Sequence, residues 1–210
     1  MLKVCGVRDA AFAVEAARRG IDFLGLIFAE ASPRCVDVEQ ARLIVEAISA
    51  WRASQPDARA PRFVGVFVEQ TVEEILSISG TVPIDVIQLH RGCGADEIMR
   101  LKAAGYEVWQ LGTGDVGTVL GDAVLLDGHD GALRGGTGRR ADWSLVAPLR
   151  RTGHRVVLAG GISAADIADA VATGADIIDV NSSIETSPGV KSVVLLDELM
   201  VAAAHTISAT

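Results

Sequence analysis

Residues 1–20, which read MLKVCGVRDAAFAVEAARRG, contain an aliphatic run, a short loop and an amphipathic stretch. Leu2 to Cys5 predicts a strand, and the helical spacing of apolar residues over Ala10 to Arg19 predicts a helix. The loop between them, Cys5-Gly6-Val7-Arg8-Asp9, holds a single glycine. A doubly wound nucleotide-binding sheet would usually carry a glycine-rich fingerprint here. This first unit therefore favours a closed barrel over an open sheet.

The same alternation of strand and helix continues along the chain, as is typical of βαβ units with a parallel sheet. The sequence predicts eight strands, over Leu2 to Cys5, Phe23 to Phe28, Arg62 to Val68, Val86 to Leu89, Glu107 to Gln110, Ala123 to Asp127, Val156 to Ala159 and Ile177 to Val180. It also predicts eight helices, over Ala10 to Arg19, Val38 to Trp51, Val72 to Ser79, Ala95 to Ala104, Val116 to Leu120, Trp143 to Leu149, Ala164 to Ala172 and Val193 to Thr206. We therefore predict an α/β fold, a single-domain (β/α)₈ TIM barrel over residues 1–210.

Local signals support these helices. Asp37, Thr71 and Ser163 stand where N-caps are expected. Four glycines follow predicted helices at positions where a left-handed residue is easiest for glycine, namely Gly20, Gly105, Gly153 and Gly174. No Pro/Gly/Ser-rich linker marks a second domain.

Composition and charge limit the functional classes. Half of the residues are apolar and 22 are glycine, which suits a large aliphatic core with many tight turns. The formal net charge of −8 argues against a nucleic-acid surface, because such a surface needs clustered Lys and Arg. An anionic ligand must therefore be bound by local groups.

The cysteines and the apolar segments predict the compartment. Cys5, Cys35 and Cys93 form neither a disulfide framework nor a close-spaced metal pair, and an odd count suits a reducing compartment. The N-terminus turns polar too early for a signal peptide, and no apolar run reaches the roughly 18 residues of a membrane helix. We expect a cytoplasmic protein without a membrane or nucleic-acid partner.

Polar residues gather where the predicted strands end. In a barrel, the active site is formed by the carboxyl ends of the strands and by the loops that follow them. The residues at these places are Cys5 after the first strand, Arg34 after the second, Gln88 and His90 at the fourth, Asp127 at the sixth, and Asp179 and Asn181 at the eighth.

Three loops predict a phosphate site. Glycine lets backbone N–H groups approach an anion, and the loops after strands seven and eight are the usual phosphate site of this fold. The candidates are Gly135, Gly136, Thr137 and Gly138 after strand six, Gly160 and Gly161 after strand seven, and Asn181, Ser182 and Ser183 after strand eight. The expected ligand is a small phosphorylated molecule.

Several segments in order along the chain form a more specific pattern. They are Lys3-Val4-Cys5-Gly6-Val7, Ser32-Pro33-Arg34, Gln88-Leu89-His90, Leu125-Leu126-Asp127, Gly135-Gly136-Thr137-Gly138, Leu158-Ala159-Gly160-Gly161-Ile162, Asp179-Val180-Asn181-Ser182-Ser183-Ile184-Glu185 and Ser187-Pro188-Gly189-Val190-Lys191. Each is weak alone, but the ordered set resembles the signature of the phosphoribosylanthranilate isomerases. The resemblance covers the chain from residue 3 to about residue 199.

The resemblance implies an Amadori rearrangement in tryptophan biosynthesis, performed by general acid and base groups without a metal or an organic cofactor. Carried over from the family motifs, Asp127 is the acid and Cys5 is the base. A strand-end cysteine beside a cationic arginine suits a thiolate. Arg34 would pair with the anthranilate carboxylate, while Gln88, His90 and Asp179 would line the rest of the substrate site. For His90, a structural hydrogen-bonding role is the alternative.

The chain departs from the family pattern at three places. Arg91 replaces a usual glycine, Asn181-Ser182-Ser183 replaces Ser-Ser-Gly, and Gln110 stands near a usual Lys or Arg. These departures raise questions about turnover and substrate range.

Alternative functions remain open at this point. One is the related isomerase of histidine biosynthesis, or a barrel that serves both pathways, but both would be expected to carry a carboxylate where this chain has Cys5. Another is a lapsed barrel that only binds a sugar phosphate. The protein could be a monomer or a homodimer.

Overall fold

The structure is a computed structural model that describes residues 1–112, 119–128 and 141–207. Eight parallel strands pair in chain order, and β1 pairs with both β2 and β8, so the sheet closes into a barrel. The strands are β1 (Leu2–Cys5), β2 (Phe23–Ile27), β3 (Arg62–Phe67), β4 (Val86–Leu89), β5 (Glu107–Leu111), β6 (Ala123–Leu126), β7 (Arg155–Leu158) and β8 (Ile177–Val180). The predicted (β/α)₈ barrel is confirmed.

Helices lie between the strands in the described part of the chain. They are α1 (Ala10–Arg18), α2 (Val38–Ser54), α3 (Val72–Thr81), α4 (Ala95–Ala103), α5 (Val146–Arg151), α6 (Ile167–Ala172) and α7 (Val193–Ile207). A 3₁₀ turn over Trp143–Leu145 leads into α5, where the sequence predicts one continuous helix.

Two helix predictions need correction. Of the helix predicted over Val116 to Leu120, residues 119 and 120 are not helical, and the remainder lies outside the described residues. The helix predicted from Ala164 begins at Ile167 instead. The reason is local, because the Asp166 carboxylate accepts hydrogen bonds from both the hydroxyl and the backbone N–H of Ser163. These bonds form a separate turn before the helix.

The other helix signals agree with the structure. The side chains of Asp37 and Thr71 accept hydrogen bonds from the third residue of their helices, and Thr71 forms a full capping box with Glu74. All four predicted helix-end glycines have positive φ angles, between 76° and 95°. These glycines let the chain reverse directly into the next strand.

Alternate residues of each strand face two separate layers. One set of apolar side chains packs inside the barrel and includes Cys5, Val64, Trp109 and Ile177. Their strand neighbours, such as Val4 and Val108, pack between the barrel and the helices. By this period of two, the buried polar residues Lys3, Gln88 and Asp179 belong to the interior set. The interior therefore carries charge among its apolar residues.

The amino-terminal end of the barrel is closed by an acidic residue between two arginines. The Glu107 carboxylate accepts hydrogen bonds from Arg62 and Arg155, at 2.8 and 2.7 Å, and from the indole N–H of Trp109. Trp109 is fully buried and meets the ring of Phe23 edge-on. This cluster joins β2, β3, β5 and β7 at the end opposite the predicted active site.

A two-stranded hairpin follows β8 and has no counterpart in the predicted elements. It consists of β9 (Glu185–Ser187) and β10 (Val190–Lys191), which pair antiparallel. A 3₁₀ turn over Ser182–Ile184 connects it to β8. Gly189, with a φ of 84°, brings the hairpin against the Pro33 carbonyl, which lies 2.9 Å from where a Cβ would stand. Among the described residues, no helix is long and apolar enough to cross a membrane.

We expect Glu107→Gln to lower the free energy of unfolding by about 1 kcal/mol at neutral pH, the upper range for partly exposed ion pairs. Partial burial raises the pKa of Glu107, but the hydrogen bonds from Trp109 and Arg62 and the charges of Arg62 and Arg155 hold it below its ordinary value. A lowered folded-state pKa contributes stability above the unfolded-state pKa of roughly 4.3, and this stability is lost as the pH falls.

Denaturant unfolding at neutral and at acid pH measures this effect. The difference between wild type and Glu107→Gln should shrink as the wild-type carboxylate becomes protonated. A difference that is constant with pH would contradict the electrostatic assignment. Glu46→Gln, on the exposed surface of α2, serves as the control for removing a surface carboxylate.

Candidate active site

Asp127 directly follows β6 at the carboxyl end of the barrel. Its Oδ2 atom lies 3.1 Å from Nε2 of His90, which follows β4. Gly160, with a φ of 90°, makes room for this acid, because a Cβ there would stand 3.1 Å from Asp127 Oδ1 and 2.7 Å from the Gly128 nitrogen. The structure thus brings three of the predicted site residues together around one carboxylate.

Cys5 ends β1 and is 5% exposed. Gly25 on β2 lies beside it, and a Cβ at that position would stand 2.9 Å from the Cys5 sulfur and 3.3 Å from Cε of Lys3. Burial raises the pKa of the Cys5 thiol above its ordinary value, although the charges of Lys3 and Lys191 oppose this effect. The expectation of a thiolate favoured by an arginine is therefore incomplete, since burial opposes the thiolate and the cation that favours it most is Lys3.

Lys3 and Asp179 form a buried ion pair next to Cys5. Nζ of Lys3 lies 2.6 Å from Asp179 Oδ2, and the side chains are 0% and 6% exposed. The other carboxylate oxygen, Asp179 Oδ1, is buried without a hydrogen-bond partner among the described residues, as is Gln88 Oε1. Unsatisfied acceptors inside a barrel are costly unless a ligand donates to them. Both atoms are therefore suited to contact a bound polar molecule.

Arg34 is held by a charged network from the β9–β10 hairpin. Its Nε and Nη2 atoms donate to the Glu185 carboxylate at 2.7 to 3.2 Å, and Lys191 donates to the same carboxylate at 2.8 Å. The Glu185 and Lys191 side chains are 3% and 1% exposed. The Nη1 atom of Arg34 makes no hydrogen bond to a described residue. This atom is the part of the guanidinium that a ligand carboxylate could reach.

The loop after β8 is tied to the same network. Nζ of Lys191 donates to both the carbonyl and the side-chain oxygen of Asn181. Gly6, with a φ of 69°, leaves room for the side chains of Arg34 and Asn181. A Cβ at Gly6 would stand 2.8 Å from Arg34 Cδ and 3.0 Å from Asn181 Oδ1. Asn181 is thus anchored by the protein itself.

The predicted phosphate residues are only partly described. Gly160 and Gly161 have φ angles of 90° and 68°, in the left-handed region that favours glycine. Ser182 and Ser183 lie in the 3₁₀ turn, and the Ser183 hydroxyl is buried without a partner among the described residues. Gly135, Gly136, Thr137 and Gly138 lie outside the described residues. Phosphate binding by these loops stays a prediction.

Two departures from the family pattern have structural partners. Arg91 donates to Glu97, which also accepts from the Gly94 N–H at the start of α4. Gln110 faces the layer between barrel and helices, and its Oε1 accepts from the N–H groups of Leu120 and Gly121. Both residues stabilise loops through these bonds.

Three charged residues of the site escaped the sequence-based selection of site residues, namely Lys3, Glu185 and Lys191. All three stood inside quoted motifs without a role of their own. Lys3 carried a usable signal, because a lysine two positions before Cys5 in an apolar strand must face the same side of the sheet. Glu185 and Lys191 carried none, since their pairing depends on the hairpin. Within the described ranges, no group of three His, Cys, Asp or Glu side chains could hold a metal ion.

Comparison with known proteins gives a consistent result. Residues 2–202 match the family model described as N-(5′-phosphoribosyl)anthranilate (PRA) isomerase. The N-(5′-phosphoribosyl)anthranilate isomerase of Campylobacter jejuni is 34% identical over 204 residues, which cover 95% of this chain and 96% of that protein.

Solved structures agree with the sequence matches. The phosphoribosyl anthranilate isomerase of Thermus thermophilus superposes with a TM-score of 0.83 at 30% identity, covering 97% of this chain and 98% of that one. A phosphoribosyl anthranilate isomerase in complex with reduced 1-(o-carboxyphenylamino)-1-deoxyribulose 5-phosphate superposes with a TM-score of 0.77 at 25% identity, covering 97% and 98%. The chain therefore belongs to the N-(5′-phosphoribosyl)anthranilate isomerase family.

Proposed function

We propose that this protein converts N-(5-phosphoribosyl)anthranilate to 1-(2-carboxyphenylamino)-1-deoxyribulose 5-phosphate in tryptophan biosynthesis. Family membership supports the reaction. The observation that carries the assignment of residues is that Cys5 and Asp127 stand at the carboxyl ends of two barrel strands, each beside a glycine that makes room for it. The substrate is a small phosphorylated molecule.

The reaction needs one acid and one base. Asp127 donates a proton to the furanose ring oxygen as the bond from that oxygen to C1 breaks, and the amine lone pair forms a C=N bond at C1. Cys5, as a thiolate, removes the proton from C2, and the released electron pair forms the C1=C2 bond of the enolamine. Ketonisation completes the isomerisation. Because substrate and product are isomers, the proton gained by Cys5 and the proton lost by Asp127 balance.

Arg34 is the residue proposed to bind the substrate carboxylate. Glu185 occupies Nε and Nη2, so the substrate would approach from the side of Nη1. An arginine that is fixed before the ligand arrives loses less side-chain entropy on binding. The phosphate of the substrate is assigned to the loops after β7 and β8, where Gly160, Gly161 and Ser183 offer backbone groups and a hydroxyl.

We place the enzyme in the cytoplasm. The support is that Cys5, Cys35 and Cys93 are all free thiols, as a reducing compartment would keep them.

We expect Cys5→Ala and Asp127→Asn each to abolish measurable turnover while the fold is retained. Loss of a positioned acid or base forfeits roughly 10² to 10⁴ in rate. The measurement is the loss of anthranilate fluorescence, with circular dichroism as the test of folding. Cys93→Ala, a half-buried cysteine before α4, is the matched control and should retain wild-type turnover. Either site variant retaining more than about a tenth of the wild-type rate would refute its assigned role.

Arg34→Ala should weaken binding of carboxylate-bearing ligands by roughly 2 to 5 kcal/mol, the cost of truncating one partner of a desolvated charge pair. The comparison is between the product analogue and a matched compound without the carboxyl group, measured by calorimetry. Arg8→Ala is the control, because Arg8 donates to the Pro33 carbonyl and so supports the same loop. If Arg34→Ala weakens the binding of both compounds equally, the arginine does not bind the carboxylate.

Ser183→Gly should change the apparent substrate affinity by less than about tenfold, or roughly 1.4 kcal/mol. The Ser183 hydroxyl can donate to a phosphate oxygen, and glycine would leave the backbone donors in place. KM and inhibition by inorganic phosphate are measured side by side for both proteins. If glycine tightens both values by well over tenfold, the native serine obstructs the phosphate loop and the proposal of an efficient isomerase is weakened.

A further inference from the structure

Lys3 is a fully buried lysine inside the barrel, where a charge is expensive to keep. The Lys3 ammonium donates one hydrogen bond, at 2.6 Å, to the Asp179 carboxylate. The aliphatic end of the Lys3 side chain and the Cys5 sulfur both border the same glycine, Gly25, because a Cβ there would stand 3.3 Å from Lys3 Cε and 2.9 Å from the sulfur. The charge of the Lys3 ammonium favours the thiolate form of Cys5. The placement thus brings a cation to the group proposed as the base.

A cation at this place would favour the reactive form of Cys5. Only the thiolate of Cys5 can remove a proton, whereas burial favours the neutral thiol. A neighbouring positive charge opposes that preference, and it acts more strongly in a site with little water than it would in bulk solvent.

The other charges around Cys5 can be counted. Lys3 and Asp179 belong to the barrel, Arg34 follows β2, and Glu185 and Lys191 belong to the hairpin. These are three cations and two carboxylates. Asp127 and His90 also interact electrostatically with Asp179.

Lys3 and Lys191 differ in how many of their ammonium hydrogens the described residues engage. All three hydrogen bonds of the Lys191 ammonium go to Asn181 and Glu185. Arg34 directs Nε and Nη2 to Glu185. The Lys3 ammonium, by contrast, gives one hydrogen bond to Asp179 and can give another to sulfur.

We propose that Lys3 is a positioning residue that holds Cys5 as a thiolate, with Asp179 fixing the ammonium beside the sulfur. This inference rests on the proposed role of Cys5 as the base, but its test does not depend on that role. The two partners must act in opposite directions, because Lys3 favours the negative sulfur and Asp179 opposes it.

The experiment is a pH titration of Cys5 in the full-length protein with Cys35→Ala and Cys93→Ala as background. Thiolate ultraviolet absorbance gives the midpoint without requiring access to the buried sulfur, and the rate of iodoacetamide labelling gives an independent value. Lys3→Met should raise the midpoint by about one pH unit or more, since a close opposite charge shifts a pKa by 1 to 3 units. Lys3→Arg should restore most of the shift, and Asp179→Asn should lower the midpoint.

A purely structural role would not produce shifts of opposite sign. Lys102→Met, which removes an exposed lysine in the last turn of α4, is the control and should leave the midpoint unchanged. If Lys3→Met does not fold, the Asp179→Asn midpoint decides, and an unchanged or higher value overturns the inference. An unchanged midpoint in folded Lys3→Met also overturns it. If the midpoints shift as expected but the Cys5→Ala variant is active, Lys3 does stabilise the Cys5 thiolate, and Cys5 is not the base.

Discussion

The buried ion pair between Lys3 and Asp179 spans the seam where the barrel closes. These residues are register partners on β1 and β8, the first and last strands of the sheet. Their charges are shielded from water, so each depends on the other for its solvation, and removal of one leaves an uncompensated charge. The same contact therefore links the strands at the seam and contributes to the electrostatics of the Cys5 site.

A second charged cluster joins loops that are distant in sequence. Glu185 accepts from Arg34 and Lys191, and Lys191 in turn holds Asn181. These bonds connect the loop after β2 with the loop after β8 through the hairpin. Gly6 allows the cluster to form, since any side chain there would overlap Arg34. The proposed carboxylate site and the proposed phosphate loop thus share one support.

Much of this architecture could be predicted from sequence, because strand and helix periods are local properties. β1, β4 and β8 begin and end at the predicted residues, and the helix-end glycines adopt the expected φ angles. The start of α6 was wrong because a Ser163–Asp166 hydrogen bond competes with the helix. The hairpin and the Arg34–Glu185 pair could not be predicted, since 151 residues separate the two partners. The positions of the strand ends indicate which residues meet at the carboxyl end of the barrel, but not which of them form pairs.

Burial has two opposing effects on the proposed base. It raises the pKa of the Cys5 thiol, which alone would leave the group neutral. It also removes the water that would screen Lys3, so that one fixed cation has a larger effect than an exposed one would have. A solvated lysine could not replace it, because a mobile ammonium would lie far from the sulfur for much of the time. The side chain of Asp179, whose charge opposes the thiolate, accepts the hydrogen bond that keeps the ammonium at a fixed place inside the barrel.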